Sequence, residues 1–155
     1  MNLKDELVQV IEALGSSAIP YALCGGIAVV IHGYPRLTKD IDLLIRDEDL
    51  ARSCDALKRA GYTVQSGVIP FDVGLPTERR VFRVTKVRDQ QLLTVDLVVV
   101  NPMLQDVWDG REMHEVEGRT LHVVSRNGLA KMKRLAGRPQ DRADLFHLGL
   151  EGGAG

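Results

Sequence analysis

Gly25-Gly26-Ile27-Ala28-Val29-Val30-Ile31-His32-Gly33-Tyr34-Pro35-Arg36-Leu37-Thr38-Lys39-Asp40-Ile41-Asp42 is the stretch on which the reading of the chain turns. It holds a glycine pair, a short apolar run of helical character, a basic turn and two aspartates one residue apart. Successive side chains on a strand point to opposite faces, so Asp40 and Asp42 share one face, about 7 Å apart at the Cα level, while Ile41 enters the core. Two like charges in a partly desolvated place repel, and either one takes up a proton or a cation sits between them. A hard divalent ion is the economical answer. Magnesium accepts a few carboxylate oxygens and fills its other positions with water and substrate phosphate. Upstream, Tyr21–Cys24 reads as a buried strand that stops at the glycines. Glycine lets backbone approach a ligand closely, and the helix that follows offers unpaired N–H groups to an anion. The stretch therefore predicts a phosphate cradle beside a metal site.

Working outward, Leu92–Val100 is almost wholly apolar and reads as a central strand, with Asp96 as its odd residue. A lone carboxylate in a buried strand costs several kcal/mol unless it is paired or metal-bound. A cross-strand ion pair with Arg83 or Arg88 would meet that need; the Asp40/Asp42 pair upstream tips the balance toward a third metal or catalytic carboxylate. Residues 81–88 alternate as a half-exposed strand and 62–65 as a short one, while Ser66–Arg80, with Pro70, Gly74 and Pro76, reads as a long irregular loop. A hairpin is predicted at Glu112–Val116 and Thr120–Val124.

Helices are predicted at residues 3–14 with Asn2 as cap and Gly15 as stop, and after Asp47 with Leu50, Cys54 and Leu57 on one face. Two more follow Ser125 and Pro139, with Gly137 between them. Asp47, Glu48 and Asp49 fit the first turn of a helix better than a ligand set. The pattern predicts an α/β (α+β) fold, a mixed β-sheet of about five strands with helices packed on one side. A single domain over residues 1–150 and a flexible tail at 151–155 are expected.

The net charge of −1 gives no overall pull toward nucleic acid or an anionic membrane. Locally, residues 118–144 carry seven Lys or Arg against two Asp, either a solvated helix surface or a phosphate-facing patch. No apolar run reaches the length of a membrane span and the N-terminus has no signal-peptide pattern, so a cytoplasmic location is expected. Cys24 and Cys54 read as core residues and Trp108 as a packing residue. No zinc-like spacing is present, and His32, His114, His122 and His147 are scattered without an assigned role. The glycines lack the G-x-G-x-x-G pattern of dinucleotide binding.

On these residues the chain resembles the minimal nucleotidyltransferases of the DNA polymerase β superfamily, most closely the branch of AbiEii-type toxins from toxin–antitoxin systems. The resemblance rests on Gly25-Gly26, on Arg36-Leu37-Thr38-Lys39-Asp40-Ile41-Asp42, on Asp96 in a later strand and on Lys133–Asp141 as a closing helical segment. It implies a polymerase-β-like nucleotidyltransferase fold and a Mg²⁺-dependent (or Mn²⁺-dependent) transfer of a nucleoside monophosphate from an NTP to an acceptor: tRNA, protein or a small molecule. Asp40, Asp42 and Asp96 would be catalytic and metal-binding. Gly25, Gly26, Arg36, Thr38, Lys39 and Lys131 would bind nucleotide. A cognate antitoxin or helical partner protein is expected, and DNA is not. Many superfamily members carry serine where this chain has Gly26, and longer members have a helical region for the acceptor, so a catalytically weak, partner-binding regulator is the alternative.

Overall fold

The computed structural model describes residues 1–150; the expected tail at 151–155 lies outside the described residues. In chain order the elements are α1 (Leu3–Ser16), β1 (Ala22–Cys24), α2 (Gly25–Ile31), β2 (Ile41–Arg46), α3 (Leu50–Arg59), β3 (Val64–Phe71), β4 (Arg79–Arg88), β5 (Gln91–Val100), α4 (Gln105–Asp109), β6 (Glu112–Val116), β7 (Arg119–Val123), α5 (Arg126–Ala136) and α6 (Pro139–His147). Among the described residues six α-helices accompany one mixed sheet of order β3-β4-β5-β2-β1-β7-β6. The β2–β5 and β1–β7 pairs are parallel and the other four antiparallel.

The sheet has seven strands against the five expected. The predicted hairpin, β6 and β7, joins it through Leu23↔Val123, a long-range pairing that local pattern cannot disclose. The predicted loop 66–80 is shorter as well, because β3 runs on to Phe71 against β4. Pro70 is tolerated there because β3 is an edge strand with one unpaired side.

β2 and β5 lie at the centre, and their near-continuous apolar character follows from burial on both faces. Ile41, Leu43, Ile45, Val95 and Leu97 are fully buried on one face, in a core that includes Leu14 of α1 and Leu57 of α3. Burying each such side chain contributes about 1.5–3 kcal/mol. On that face Lys86 of β4 donates to Glu6 Oε2 of α1 at 2.8 Å, and the Tyr62 hydroxyl donates to the same oxygen at 2.9 Å. On the opposite face α5 closes over one end, where Leu129, Met132 and Leu135 enclose an apolar cavity with Val81 and Val98. Helices therefore cover both faces, which corrects the one-sided expectation.

Local signals at the helix ends hold in most places. Asn2 Oδ1 accepts from Lys4 N at 2.9 Å and Ser125 Oγ from Gly128 N at 3.0 Å. Gly137 ends α5 in the left-handed region, and α1 runs one residue past Gly15. Asp47–Asp49 form a 3-10 turn that leads into α3; Asp49 is buried between Arg46 and Arg52, at 2.8 Å from each. Cys24 and Cys54 are both buried and free.

Candidate active site

Parallel pairing of β2 with β5 sets Asp42 directly beside Asp96, and register partners in a sheet share a face. Asp40 sits in the bend just before β2. The three carboxylates line one cavity of about 370 Å³ together with Gly25, Gly26, Arg36, Thr38 and Lys39, a volume in the range of small-molecule sites. Two strands, the first turn of α2 and the loop before β2 thus gather every sequence-predicted site residue except Lys131. That lysine points elsewhere: its Nζ donates to Met103 O at 2.6 Å and to Asp106 Oδ1 at 2.8 Å. Arg134, one helical turn on, donates to Leu150 O at 3.1 Å.

In place of Lys131 the cavity takes Lys133, Arg138 and Arg83. Lys133 is buried and lies 3.3 Å from Asp141 and 2.9 Å from Asp144. Arg138 holds Asp141 at 2.8 Å. The i,i+3 pair Asp141/Asp144 in the sequence is the signal that could have singled out a buried lysine partner.

Electrostatics concentrate on Asp42. Burial, then the neighbouring Asp96 and Asp40 carboxylates, push its pKa up to about 6, against the opposing pull of Lys133 and Arg138. The Cys24 thiol, beside Asp42 in register, is pushed well above its ordinary range by burial and by Asp42. It is therefore protonated and no nucleophile at neutral pH.

Asp96 meets the ion-pair reading of the sequence and also sits beside the aspartate pair. Arg83 clasps it in two bonds, Nε to Oδ1 at 2.8 Å and Nη2 to Oδ2 at 3.1 Å, so the cross-strand ion pair exists. Yet Asp96 still faces Asp42 across the shared cavity. Arg83 itself lies on the cavity wall.

Gly25 is sterically required, and Gly26 is tightly packed by side chains. Gly25 has φ +63°, and a Cβ there would lie 2.0 Å from Asp42 Oδ2. A Cβ at Gly26 would meet Arg36 Nη2 and Thr38 Cγ2, each at 2.9 Å. The space beside the Gly26 Cα is thus taken by Arg36 and Thr38. Arg36 is held by Asp144 of α6, Nη2 to Oδ2 at 3.1 Å, with Nε at 3.0 Å from Oδ1 but off hydrogen-bond alignment.

Clustered carboxylates on adjacent strands, a tight glycine turn and a cationic rim thus line a single cavity. The chain matches the family model described as "Uncharacterised nucleotidyltransferase" over residues 1–129, and it belongs to that family. It is a nucleotidyltransferase. No curated protein matches it. Among solved structures it is similar to a putative nucleotidyltransferase from Thermotoga maritima, at 14% identity and TM-score 0.59, with 91% of this chain and 88% of that one covered. A lincosamide antibiotic adenylyltransferase bound to lincomycin gives 17% identity and TM-score 0.58, covering 94% and 95%. The aminoglycoside enzyme ANT(2")-Ia in complex with adenylyl-2"-tobramycin gives 16% and 0.58, covering 92% and 84%. At these identities the three establish a common fold.

Proposed function

We propose that this domain transfers a nucleoside monophosphate from an NTP to an acceptor hydroxyl in a Mg²⁺-dependent reaction, with Asp40, Asp42 and Asp96 as the carboxylate set. The observation that carries the reading is the register pairing of Asp42 with Asp96, beside Asp40, around a carboxyl whose pKa is raised to about 6. A donor set of clustered oxygens with one strongly disfavoured charge fits a hard divalent cation. When bound, such an ion neutralises charge on the triphosphate and on the attacking and leaving oxygens.

The chain's own residues supply the rest. Gly25 and Gly26 let the backbone approach the triphosphate closely. Lys133 and Arg138 give positive charge to the phosphate oxygens, and Arg36, fixed by Asp144, stands over Gly26. Asp96 holds Arg83 at the cavity wall and is placed to take the acceptor proton. The acceptor oxygen forms a bond to the α-phosphorus as the bond to the α,β-bridging oxygen breaks, and pyrophosphate leaves.

The acceptor remains tRNA, protein or a small molecule. Structural neighbours holding lincomycin and adenylylated tobramycin support the last of these, and resemblance to AbiEii-type toxins supports the first two, with a cognate antitoxin as partner. Among the described residues no helix is long and apolar enough to cross a membrane; a cytoplasmic location stays part of the proposal. A second reading, a weak or inactive nucleotide- or partner-binding regulator, draws on the Arg83 clasp over Asp96 and on the missing hydroxyl at Gly26. Incubation with labelled NTPs and Mg²⁺ or Mn²⁺ decides between them. Pyrophosphate release and labelled acceptor, lost in Asp42→Asn and Asp96→Asn, support transfer; unchanged labelling in both variants removes the site. Nucleotide binding without any release supports the regulator.

A further inference from the structure

The C-terminal end of α2 and the edge strand β6 bring together three side chains that lie 80 residues or more apart along the chain on the two sides. One donor atom each from His32, Glu112 and His114 falls within a sphere of mutual distances no greater than 4.8 Å. Glu112 and His114 are two apart on β6 and so face the same way. His32 caps α2. Its ring meets the His114 ring edge-on, with centroids 5.3 Å apart.

We propose that His32, Glu112 and His114 form a Zn²⁺ site, separate from the nucleotide cavity. Three observations favour an ion over a chance cluster. First, His32 Nε2 lies 2.8 Å from Val124 O. A carbonyl can only accept, so Nε2–H donates there and Nδ1 is the nitrogen left to face a ligand; a ring fixed through a backbone carbonyl is the usual arrangement for a metal-binding histidine. Second, His114 Nε2 and Glu112 Oε1 are 3.1 Å apart. Bonds of about 2.0–2.1 Å to a tetrahedral ion impose an edge of about 3.4 Å, so this pair already has nearly the required spacing. Third, the donor set of two imidazole nitrogens and one carboxylate oxygen is one that zinc accepts in sites with three protein ligands. The Arg126 guanidinium on the His32 side is turned to the carbonyl oxygens of His32 and Leu148.

Imidazole nitrogen selects zinc and its transition-metal neighbours over magnesium. The two proposed sites therefore differ in ion as well as in place: α2 has seven residues, which puts its far end about 10 Å from the glycine turn. Three protein ligands leave a fourth position for water. Glu112 is half exposed, so the ion is reached from solvent. Its structural effect is to pin the outer hairpin β6–β7, held to the sheet by the short β1–β7 ladder, onto the end of the helix that carries the glycine pair.

Calorimetric titration of the chelator-treated full chain with ZnCl₂ tests this. The expected result is one ion per chain with micromolar or tighter affinity, little response to MgCl₂ at the same concentrations, and a thermal midpoint raised by about 5–10 °C at a hundredfold excess over Kd. His114→Ala and His32→Ala should weaken binding at least tenfold. Glu112→Gln, half exposed and conservative, should weaken it about tenfold without disturbing the fold by circular dichroism. Asp42→Asn should leave the zinc affinity unchanged. Zinc affinity no better than millimolar, or affinity unaltered in His114→Ala and Glu112→Gln, overturns the site; a loss confined to Asp42→Asn assigns the zinc to the nucleotide cavity and overturns it equally.

Discussion

At the scale of single residues, Asp42 is both the centre of the site and a stability defect. Its folded pKa of about 6 lies above the ordinary aspartate value, so the folded state binds that proton more tightly than the unfolded chain does. The cost is therefore absent below about pH 4, grows as pH rises toward 6 and is complete above it. A shift of about two units corresponds to about 3 kcal/mol as an upper bound, and relaxation of the site reduces that to about 1–2 kcal/mol. Asparagine cannot ionise. Asp42→Asn should accordingly melt higher than the wild type at pH 8 in EDTA, the gap closing as the pH is lowered to 4; coincident melting curves across the range would refute the raised pKa.

Gly25 makes a complementary prediction at the same scale. Any side chain there combines a positive φ with a contact of 2.0 Å to the Asp42 carboxylate. Gly25→Ala is expected to cost about 1–3 kcal/mol in urea denaturation and to abolish nucleotidyl transfer, because Asp42 must move to admit the methyl group. Retained transfer would show that the carboxylate position does not matter.

At the scale of elements, α5 and α6 matter less for the positive charge on their surfaces than for the buried ion pairs between them. Lys133 stands between Asp141 and Asp144, and Asp144 in turn holds Arg36 over the glycine turn. Without Lys133, Asp141 still keeps Arg138 and Asp144 still keeps Arg36, so the loss falls short of the about 3–5 kcal/mol of a broken isolated pair. Lys133→Met should lower stability by about 1–3 kcal/mol and weaken NTP binding. Lys131→Ala, on the same helix but facing Asp106, should leave NTP affinity within about twofold. The pair measured by nucleotide titration separates a cavity-facing lysine from a surface one, and equal losses would contradict the placement.

A second buried group joins α1 to β4. Lys86 and Tyr62 both donate to Glu6, and those bonds hold its carboxyl below the usual range although burial opposes them. A depressed carboxylate contributes stability above its unfolded pKa that is lost as pH falls through the folded value. Lys86→Met should destabilise by about 3–5 kcal/mol at pH 7, and adding Glu6→Gln should recover much of it, since the charge left behind is then removed. A double variant as unstable as Lys86→Met alone would show that packing, not charge, sets the loss.

At the scale of the whole molecule, the sheet decides what meets what. Local chemistry sufficed for most helix ends, because Asn2, Ser125, Gly137 and Pro139 act through bonds and dihedral angles within a few residues. It sufficed for the Asp40/Asp42 pair and the glycine turn for the same reason, and for Asp96 because a charge in an apolar strand is conspicuous wherever that strand lies. It failed for Lys131 against Lys133. Two lysines two apart on one helix look alike until the helix is docked, and docking turned one to the cavity and the other to α4. Extension of β3 through Pro70 was hidden because edge position, which makes proline tolerable, is a property of the sheet.

By itself the sequence determined the periodicities, the caps, the glycine turn and the three carboxylates, since each is set by interactions between near neighbours. Only the tertiary structure decided that Asp96 would be shared between Asp42 and Arg83, that Arg36 would be anchored by a residue 108 positions away, and that His32 would face Glu112 and His114. Those outcomes depend on strand register and helix docking, where hydrophobic burial summed over the whole core selects one arrangement and carries the polar side chains to their partners.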